Sequence, residues 1–355
     1  MRYLIDIGHP AHVHIFKNIV LDMQNRGHEF FFTVREAENE TILLDKYNFS
    51  YHIIGCKRKG TVNKIIGIFI FSWRIFRIGL KFKPDIFLSH GSMYAGYASF
   101  IFRKPHIALE DSGNMEQIRL SLPVSNAILS PDILPVDLGA KQIRYRGYHE
   151  LMYLTPKYYV QDSSVFSLLG IPRGTPYAII RFVSWEASHD IGKSGLSSDE
   201  KIDLINFLSG RVKVFISAER QLSEELDPYR IDIPFDRMHD VLANALIYIG
   251  EGATMASEAG ILGIPSFYVS NIKRCYIDDQ IKYGSVYKYS SYIEMIDKLA
   301  DLFADPDLKF KHQRISQRII DQKIDVTSFM IWFIESWPES YRIMKENPEY
   351  QERFK

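Results

Sequence analysis

Two stretches of the sequence combine glycine with residues that bind phosphate or move protons. The first, Gly250-Glu251-Gly252-Ala253-Thr254, lies between the apolar run ALIYIG and a segment with helical periodicity. Glycine lets a backbone approach a ligand closely, and the free N–H groups at a helix N-terminus attract anions. Gly252, Ala253 and Thr254 therefore predict a phosphate cradle.

Two further groups in this half of the chain suit a nucleotide diphosphate. Glu258 lies about one helical turn beyond the cradle, where a carboxylate can accept hydrogen bonds from a ribose diol. Arg181 lies at the end of the run YAIIRF, next to its last residue, and a guanidinium matches two phosphate oxygens. The alternatives are a solvated carboxylate for Glu258 and an inter-domain ion pair for Arg181.

The second stretch, GHPAHVH, places three imidazoles at the first predicted strand-to-helix turn. Histidine titrates near neutral pH and suits general-base catalysis. His12 and His14 are two residues apart, which splays them around a helix, and neither cysteine nor carboxylate completes a tight metal set there. We expect His9, His12 and His14 to bind acceptor or phosphate or to take a proton, and we expect no metal. A capping or core histidine is the alternative for each.

Polar residues also follow two later apolar runs. Glu110 and Asp111 come directly after HIAL, and a carboxylate at a strand end can deprotonate an acceptor hydroxyl. The alternative is that Asp111 caps the next helix. The segment SHGS follows DIFL, and its small residues favour either close ligand approach or a plain glycine turn with a helix cap. We expect the acceptor side of a cleft to be lined by Gly8, His90, Gly91, Ser92 and Glu110.

Short apolar runs alternate with helical segments along the whole chain, which predicts parallel sheets covered on both faces. A chain of 355 residues exceeds the usual size of one hydrophobic core. The alternation of strand-like and helical segments is interrupted at YRGYHELMYLTPKYYVQD, which is rich in turn residues and aromatics. We therefore predict an acceptor domain over 1–155, a nucleotide-sugar domain over 156–335, and a C-terminal helix over 336–355 that returns to the first domain.

Residues 250–269, GEGATMASEAGILGIPSFYV, resemble the nucleotide-sugar site of GT-B glycosyltransferases. Similar segments occur in the UDP-GlcNAc transferase of peptidoglycan synthesis and in non-hydrolysing UDP-GlcNAc 2-epimerases. Together with DIGHPAHVHIFKNIV, SHGS and LEDSG, they make the chain resemble a family of GT-B-like proteins known mainly as a domain of unknown function. The resemblance implies two Rossmann-like, doubly wound α/β domains facing across a cleft. By the same analogy the nucleotide base is bordered by Ser217, Arg220 and Met238.

The resemblance implies a glycosyltransferase that uses a nucleotide diphosphate donor, UDP-linked as in the relatives. Arg181 and the 252–254 turn would stabilise the leaving diphosphate, while Asp111 or one histidine takes the acceptor proton. Retaining GT-B enzymes often have two glutamates with seven residues between them; Gly250 stands at the first position here, which favours inversion. We expect a cell-surface glycan or lipid-linked acceptor, and no cofactor beyond the nucleotide-sugar substrate.

Two other functions stay open. One is a nucleotide-sugar 2-epimerase, although those enzymes carry an arginine and a glutamate in the first glycine loop and GHPAHVH has neither. The other is a non-catalytic nucleotide-sugar binding protein. This second function becomes preferable if Asp111 and the histidine cluster lie remote from the cleft.

Charge and cysteine content exclude several other classes. The net charge is zero and only mildly uneven between the halves, so nucleic acid is not an expected partner. Cys56 and Cys275 lie far apart without metal-ligand spacing, which argues against a disulfide framework. Asp6 interrupts the first apolar run, and no run of about 18 apolar residues occurs, so we expect a cytoplasmic protein.

Segment 57–83 is basic and apolar. No carboxylate occurs between Asp45 and Asp85, whereas nine lysines and arginines do, interleaved with IIGIFIFSWRIF. A helix of this kind can lie on the anionic inner face of the plasma membrane. The alternative is a crossover helix whose apolar face is core.

Overall fold

The computed structural model describes residues 1–36, 38–56, 61–182, 196–218 and 221–355. It divides into two compact units: Met1–Tyr153 with Lys323–Lys355, and Leu154–Gln322. The sequence placed the return to the first domain at residue 336, whereas in the structure the chain belongs to the first unit from Lys323 onwards. The reason is packing, because Thr327 donates a hydrogen bond to the carbonyl of Met152 at 2.8 Å.

A seven-stranded parallel sheet forms the centre of the first unit. Its strands in chain order are β1 (Arg2–Ile7), β2 (Glu29–Glu36), β3 (Tyr51–Cys56), β4 (Ile86–His90), β5 (His106–Leu109), β6 (Ala127–Pro131) and β7 (Gln142–Tyr145). Their spatial order is β3-β2-β1-β4-β5-β6-β7. The chain therefore leaves β1 and β4 in opposite directions across the sheet. In doubly wound sheets, ligands bind at such a switch point, beyond the carboxyl ends of the strands.

Helices connect these strands. They are α1 (Pro10–Asn25), α2 (Glu38–Lys46), α3 (Thr61–Phe82), α4 (Met93–Phe102) and α5 (Met115–Ser121). Helix α1 begins with Pro10, which suits the first helical position, and the imidazole of His9 caps it by accepting from the N–H of Ala11. It ends before Gly27, whose φ of 84° few other residues adopt.

The second unit contains a five-stranded parallel sheet. Its strands are β8 (Tyr177–Phe182), β9 (Lys213–Ala218), β10 (Ile247–Gly250), β11 (Ser266–Val269) and β12 (Val286–Tyr289), in the spatial order β12-β11-β10-β8-β9. The switch point lies between β8 and β10, where Arg181 is paired in register with Gly250. The end of YAIIRF and the first glycine of GEGAT are therefore neighbours.

Helices cover the second sheet. They are α6 (Val165–Leu168), α7 (Ser198–Ser209), α8 (Met238–Asn244), α9 (Ala253–Ile261), α10 (Cys275–Tyr283), α11 (Tyr292–Phe303) and α12 (Leu308–Gln322). The returning segment of the first unit adds α13 (Val326–Glu335) and α14 (Glu339–Glu346). The central strands are buried on both faces, as their near-continuous apolar runs predict, whereas the edge strand β3 is partly exposed. The prediction of two Rossmann-like parallel-sheet domains is confirmed.

Across the part of the chain that the structure describes, no helix has the apolar length that a bilayer crossing requires.

Candidate functional site

The candidate donor site in the second unit begins at the ends of β8 and β9. The guanidinium of Arg181 donates a hydrogen bond from Nη1 to Oγ of Ser217 at 2.7 Å. Ser217 is itself buried, so this contact fixes the direction of the arginine at the strand end. The structure thus brings together two of the residues predicted to bind the donor. Arg220, predicted beside them, lies outside the described residues.

The phosphate cradle has the local geometry that the sequence predicts. Gly252 is the N-cap of α9, and among the described residues no side chain caps the helix there. Ala253 and Thr254 follow in the first turn and are only partly buried. Uncapped N–H groups and the positive end of the helix dipole give this turn an affinity for anions. Met238, predicted beside the base, is the first residue of α8 and is partly exposed.

Glu258 has a partner that the sequence did not indicate. Its side chain is buried, and Oε1 lies 3.1 Å from Nε2 of His239 on the neighbouring helix α8. The alternative of a solvated carboxylate is therefore wrong. A buried carboxylate held by an imidazole is oriented in advance for a polar ligand.

Gly250 and Glu251, at the end of β10, are held by their surroundings. A Cβ on Gly250 would lie 2.1 Å from Oη of Tyr248, so only glycine fits there. Glu251 is buried and accepts from the N–H of Leu196 at 3.1 Å, with Nζ of Lys201 3.9 Å away. Glu251 therefore contacts the segment that leads into α7. The hydroxyl of Tyr248 is buried without a hydrogen-bond partner among the described residues.

In the first unit, the switch point between β1 and β4 gathers a cluster of imidazoles. The rings of His12 and His90 stack with centroids 4.5 Å apart. Nδ1 of His12 accepts from the N–H of Gly8 at 3.2 Å, so the proton of the neutral ring lies on Nε2. Burial, together with the nearby His90, His9 and Arg35, lowers the pKa of His12 well below its ordinary value. We therefore regard His12 as a neutral donor.

Asp111 joins this cluster at the end of β5. Its Oδ1 lies 3.1 Å from Nε2 of His90, and its Oδ2 lies 3.0 Å from Nδ1 of His149. Burial alone would raise the pKa of Asp111, but the charge of the nearby His149 and the hydrogen bond and charge of His90 outweigh it and lower the pKa well below the ordinary value. The carboxylate stays ionised between two rings. It does not cap α5, which is capped by Asn114.

The pKa of His90 is shifted in the opposite direction to that of Asp111. Burial would lower its pKa, but the hydrogen bond and the charge of Asp111, with a contribution from Glu110, raise it above the ordinary value of 6.5. Because Nε2 donates to Asp111, the neutral ring keeps its lone pair on Nδ1. His90, which the sequence placed only at the acceptor side, thus has the attributes of a general base oriented by Asp111.

A second polar network lies beneath this cluster. Asp6, fully buried in β1, accepts from Oγ1 of Thr33 at 2.7 Å and from Oγ of Ser92 at 2.5 Å, and pairs with Nη1 of Arg35 at 3.3 Å. Ser92 also caps α4 through the N–H of Ala95. The network ties β1, β2 and β4 together at the edge where the imidazoles lie.

The absence of a side chain at Gly8 leaves the space that Arg35 of this network occupies. A Cβ on Gly8 would lie 1.7 Å from Nη2 of Arg35, so the guanidinium occupies the space beside the glycine. The sequence indicated neither this arginine nor Asp6. Nothing in the local pattern marks Arg35, directly after HEFFFTV, as functional, and Asp6 appears in the sequence only as a polar break in an apolar run.

The remaining predicted residues of the first unit have structural contacts. Gly91 has a φ of 58°, and Glu110 accepts from the N–H groups of Ser112 and Gly113 at 2.8 and 3.0 Å, which closes the loop after β5. His9 caps α1. His14 is buried and stacks on Tyr153 with centroids 5.5 Å apart, outside the imidazole cluster.

His90, Asp111 and His149 also form a group whose ligand atoms lie within 4.8 Å of one another. Two imidazoles and a carboxylate are ligands that divalent transition metals accept. Each carboxylate oxygen faces a different ring, and the hydrogen bond to His90 is equally that of an acid that orients an imidazole. The sequence did not indicate His149, because it lies in the aromatic-rich stretch without periodicity.

Comparison with known proteins places this chain among uncharacterised relatives. Residues 1–327 match the family described as "Protein of unknown function (DUF354)". An uncharacterized protein of Methanocaldococcus jannaschii is 26% identical over 278 residues, covering 74% of this chain and 80% of the relative.

Solved structures share the fold at low identity. The UDP-GlcNAc 2-epimerase of Neisseria meningitidis, bound to UDP-GlcNAc, is 14% identical with a TM-score of 0.64, covering 91% of this chain and 99% of that one. The glycosyltransferase SsfS6 of Streptomyces sp. SF2575 is 12% identical with a TM-score of 0.58, covering 95% and 100%. The fold is therefore that of GT-B glycosyltransferases and UDP-GlcNAc 2-epimerases, as the sequence predicts.

Proposed function

Because the chain belongs to the DUF354 family, whose function is unknown, and has the GT-B fold, we propose that it is an inverting glycosyltransferase. It transfers a sugar from a nucleotide diphosphate, UDP-linked, to a hydroxyl of a cell-surface glycan or lipid-linked acceptor. The observation that carries this proposal is the pair His90 and Asp111, an imidazole oriented by an ionised carboxylate at the switch point of the first sheet.

The donor is assigned to the second unit. Arg181, held by Ser217, pairs with the diphosphate, and the N–H groups of the 252–254 turn receive the charge that develops on the leaving group. Glu258, oriented by His239, accepts from the ribose hydroxyls. The nucleotide-bound 2-epimerase of the same fold supports a nucleotide sugar as ligand.

The acceptor is activated in the first unit. Nδ1 of His90 takes the proton of the acceptor hydroxyl, and Asp111 stabilises the imidazolium that forms. The acceptor oxygen then attacks the anomeric carbon, the bond to the diphosphate breaks, and the configuration inverts. This assignment makes Asp111 the positioning residue and His90 the base, with His12 a neutral neighbour. Neither step requires a metal ion.

The experiment is an assay of UDP release from UDP-sugars, with and without candidate acceptors, while the sugar is followed by NMR. Release that depends on an acceptor supports transfer. Conversion of the sugar to its C2 epimer without an acceptor identifies an epimerase. Tight binding with neither reaction identifies a nucleotide-sugar binding protein and overturns the proposal.

One observation favours the epimerase as second candidate. The non-hydrolysing 2-epimerases carry an arginine in the first glycine loop. In this chain the guanidinium of Arg35 lies beside Gly8, but it comes from β2 and not from the loop. Epimerisation at C2 would use the same donor site and an acid–base pair drawn from the imidazole cluster. It requires no acceptor, which the assay above tests directly.

We also propose that the protein acts in the cytoplasm at the anionic inner face of the plasma membrane. The predicted segment is 57–83, of which residues 57–60 lie outside the described residues. Helix α3 within it exposes Phe69, Trp73 and Leu80. A lipid-linked acceptor would be presented at such a surface. Nucleic acid is not part of this proposal.

A further inference from the structure

Helix α3 has two apolar faces, of which only one is needed for the core. Phe71 and Ile75 are fully buried and pack with Phe87 of the sheet. On the opposite side, Phe69 and Trp73 are 74% and 57% exposed. Large aromatic side chains exposed in a row are costly in water and mark a surface that is covered in use.

The exposed residues form one continuous stripe. Phe69, Trp73 and Leu80 are exposed and Phe76 is partly buried; the four are three or four residues apart and so lie on one face of the helix. The rings of Trp73 and Phe76 stack at 5.3 Å, which joins the stripe along its length. The helix therefore has a core face, as the alternative of a crossover helix expects, and a second apolar face that the core does not cover.

Helix α4 extends the stripe sideways. The ring of Phe102 lies 4.8 Å from that of Phe76, so the C-terminal end of α4 packs beside the exposed face of α3. Phe100 and Ile101 in this last turn of α4 are 70% and 54% exposed. Two adjacent helices thus present apolar side chains at the same end of the unit.

A groove with basic walls lies next to the stripe, between α3 and the edge strand β3. It has a volume of about 640 Å³. Its walls combine Arg77, Lys81 and Arg74 with apolar side chains such as Ile53 and Ile78, and no carboxylate is among the described residues that line it. Arg74 donates to the carbonyl of Ile54 at 2.6 Å, whereas the ends of Arg77 and Lys81 are exposed.

We propose that the face formed by α3, the end of α4 and the groove beside β3 binds anionic phospholipid, with the groove holding the lipid phosphate. Phe69, Trp73, Leu80, Phe100 and Ile101 enter the headgroup region. Arg77 and Lys81 meet the phosphate and the negative surface potential. This inference deepens the membrane contact of the proposed function, because it names the ligand and the residues, but it is independent of the chemistry assigned to His90 and Asp111.

Charge decides between a membrane and a second copy of the chain as the occupant. A two-fold interface places the same patch on both partners. Such an interface would bring Arg77 and Lys81 of one copy towards those of the other, without a carboxylate in the groove to offset them. An anionic bilayer supplies the opposite charge and an apolar interior together.

The test measures partition of the full chain between buffer and sedimenting vesicles. Vesicles that contain phosphatidylglycerol should retain the protein at low salt and release it as salt screens the charges, and vesicles of phosphatidylcholine alone should not retain it. R77S and K81S should each weaken retention about 5-fold, the effect of one basic residue near an anionic surface. W73S should weaken it further, and its control I293S, at a position of α11 that is even more exposed (74% against 57%), should not.

A second readout locates the contact. Brominated lipid should quench part of the tryptophan fluorescence of the wild type, and W73F should lose that part. Nucleotide binding by the same variants should be unchanged, which separates failure of this surface from failure of the donor site. Equal partition to both vesicle types, no partition to either, displacement by inorganic phosphate at an ionic strength at which sodium chloride leaves the protein bound, or a dimer that W73S dissociates would each overturn the proposal.

Discussion

Nε2 of His239 lies 3.1 Å from Oε1 of Glu258, so the carboxylate that we assign to the ribose is held by an imidazole from the neighbouring helix. Both groups are at most slightly exposed. A ligand hydroxyl that donates to Glu258 would therefore meet a carboxylate whose orientation is already fixed. The side chain of Glu258 would lose little conformational entropy when the ligand binds.

We expect Glu258→Ala to weaken nucleotide binding by about 1.5–3 kcal/mol, the range for a hydrogen bond to a charged group. Calorimetry with UDP and UDP-sugars measures this. His239→Ala should have a smaller effect, since it removes the orienting group and leaves the carboxylate. Circular dichroism must show that both variants are folded. Unchanged affinity in a folded Glu258→Ala protein would remove the ribose contact from this residue.

The contact between Gly8 and Arg35 predicts a coupled effect on stability. Gly8→Ala should lower the free energy of unfolding by about 1–3 kcal/mol, because the new Cβ displaces the guanidinium from Asp6. The variant Arg35→Ala removes the obstacle, so Gly8→Ala should cost less in that background. Urea denaturation of the four proteins gives the coupling energy, which we expect to be about 0.5–3 kcal/mol. Equal costs in both backgrounds would show that the arginine is not the reason for the glycine.

A chelator separates the two interpretations of His90, Asp111 and His149. We expect transfer to be unchanged after exhaustive treatment with EDTA, because the proposed steps use an imidazole and a guanidinium where a metal would otherwise act. The measurement is the rate of UDP release before and after dialysis, with metal content checked by mass spectrometry. Activity that disappears and returns with zinc or manganese, and metal that Asp111→Asn no longer binds, would make this cluster a metal centre.

Asp111 should also contribute to stability in a defined pH range. Its pKa is lower in the folded than in the unfolded chain, so its contribution is present above the unfolded value of about 3.9 and is lost as the pH falls towards the folded value. Asp111→Asn should therefore be less stable than the wild type near pH 6, and the difference should shrink below about pH 4. Chemical denaturation at several pH values tests this. If the difference in the free energy of unfolding between the two proteins is constant with pH, the charge of Asp111 is not what stabilises the fold.

The local elements were largely predictable from the sequence. YAIIRF forms a strand with the predicted bounds, and the run ALIYIG ends where β10 ends, because buried parallel strands are short apolar runs with clear limits. Arg181 and the 252–254 turn were predicted to bind the same diphosphate, and the pairing of Arg181 with Gly250 brings them to one edge of the sheet, where the carboxyl ends of neighbouring parallel strands lie. Such inferences need only periodicity and the rules of connection.

The side-chain partners could not be predicted, because they depend on tertiary contacts between distant residues. Asp111 is separated by 38 positions from His149, which lies in a stretch with no regular pattern. The pair of Glu258 and His239 crosses two helices, and Arg35 reaches back from β2 to Gly8. Nothing in the local composition distinguishes these residues from other polar residues at element ends. The role of Asp111 changes accordingly, from a candidate base to the residue that orients His90.

The most informative prediction concerns this last pair. Asp111→Asn keeps the size of the side chain and removes its charge. We expect the variant to bind UDP-sugar like the wild type and to lose transfer by roughly 10²–10⁴-fold, the contribution typical of general-base catalysis. His90→Ala should lose as much, and the double variant should lose little more, because the two residues act as one unit.

The pH dependence distinguishes a base from a merely structural residue. His90 must be neutral to accept the acceptor proton, so the wild-type rate should rise with pH through its raised pKa. Without the charge of Asp111 that pKa falls, and the rising limb of the residual activity in Asp111→Asn should move to lower pH. His14→Ala is the matched control, since His14 is buried outside the cluster and should leave the limb unmoved. If His12→Ala abolishes transfer while His90→Ala does not, the base is His12. If all these variants transfer sugar at wild-type rates, the chemistry does not use this cluster.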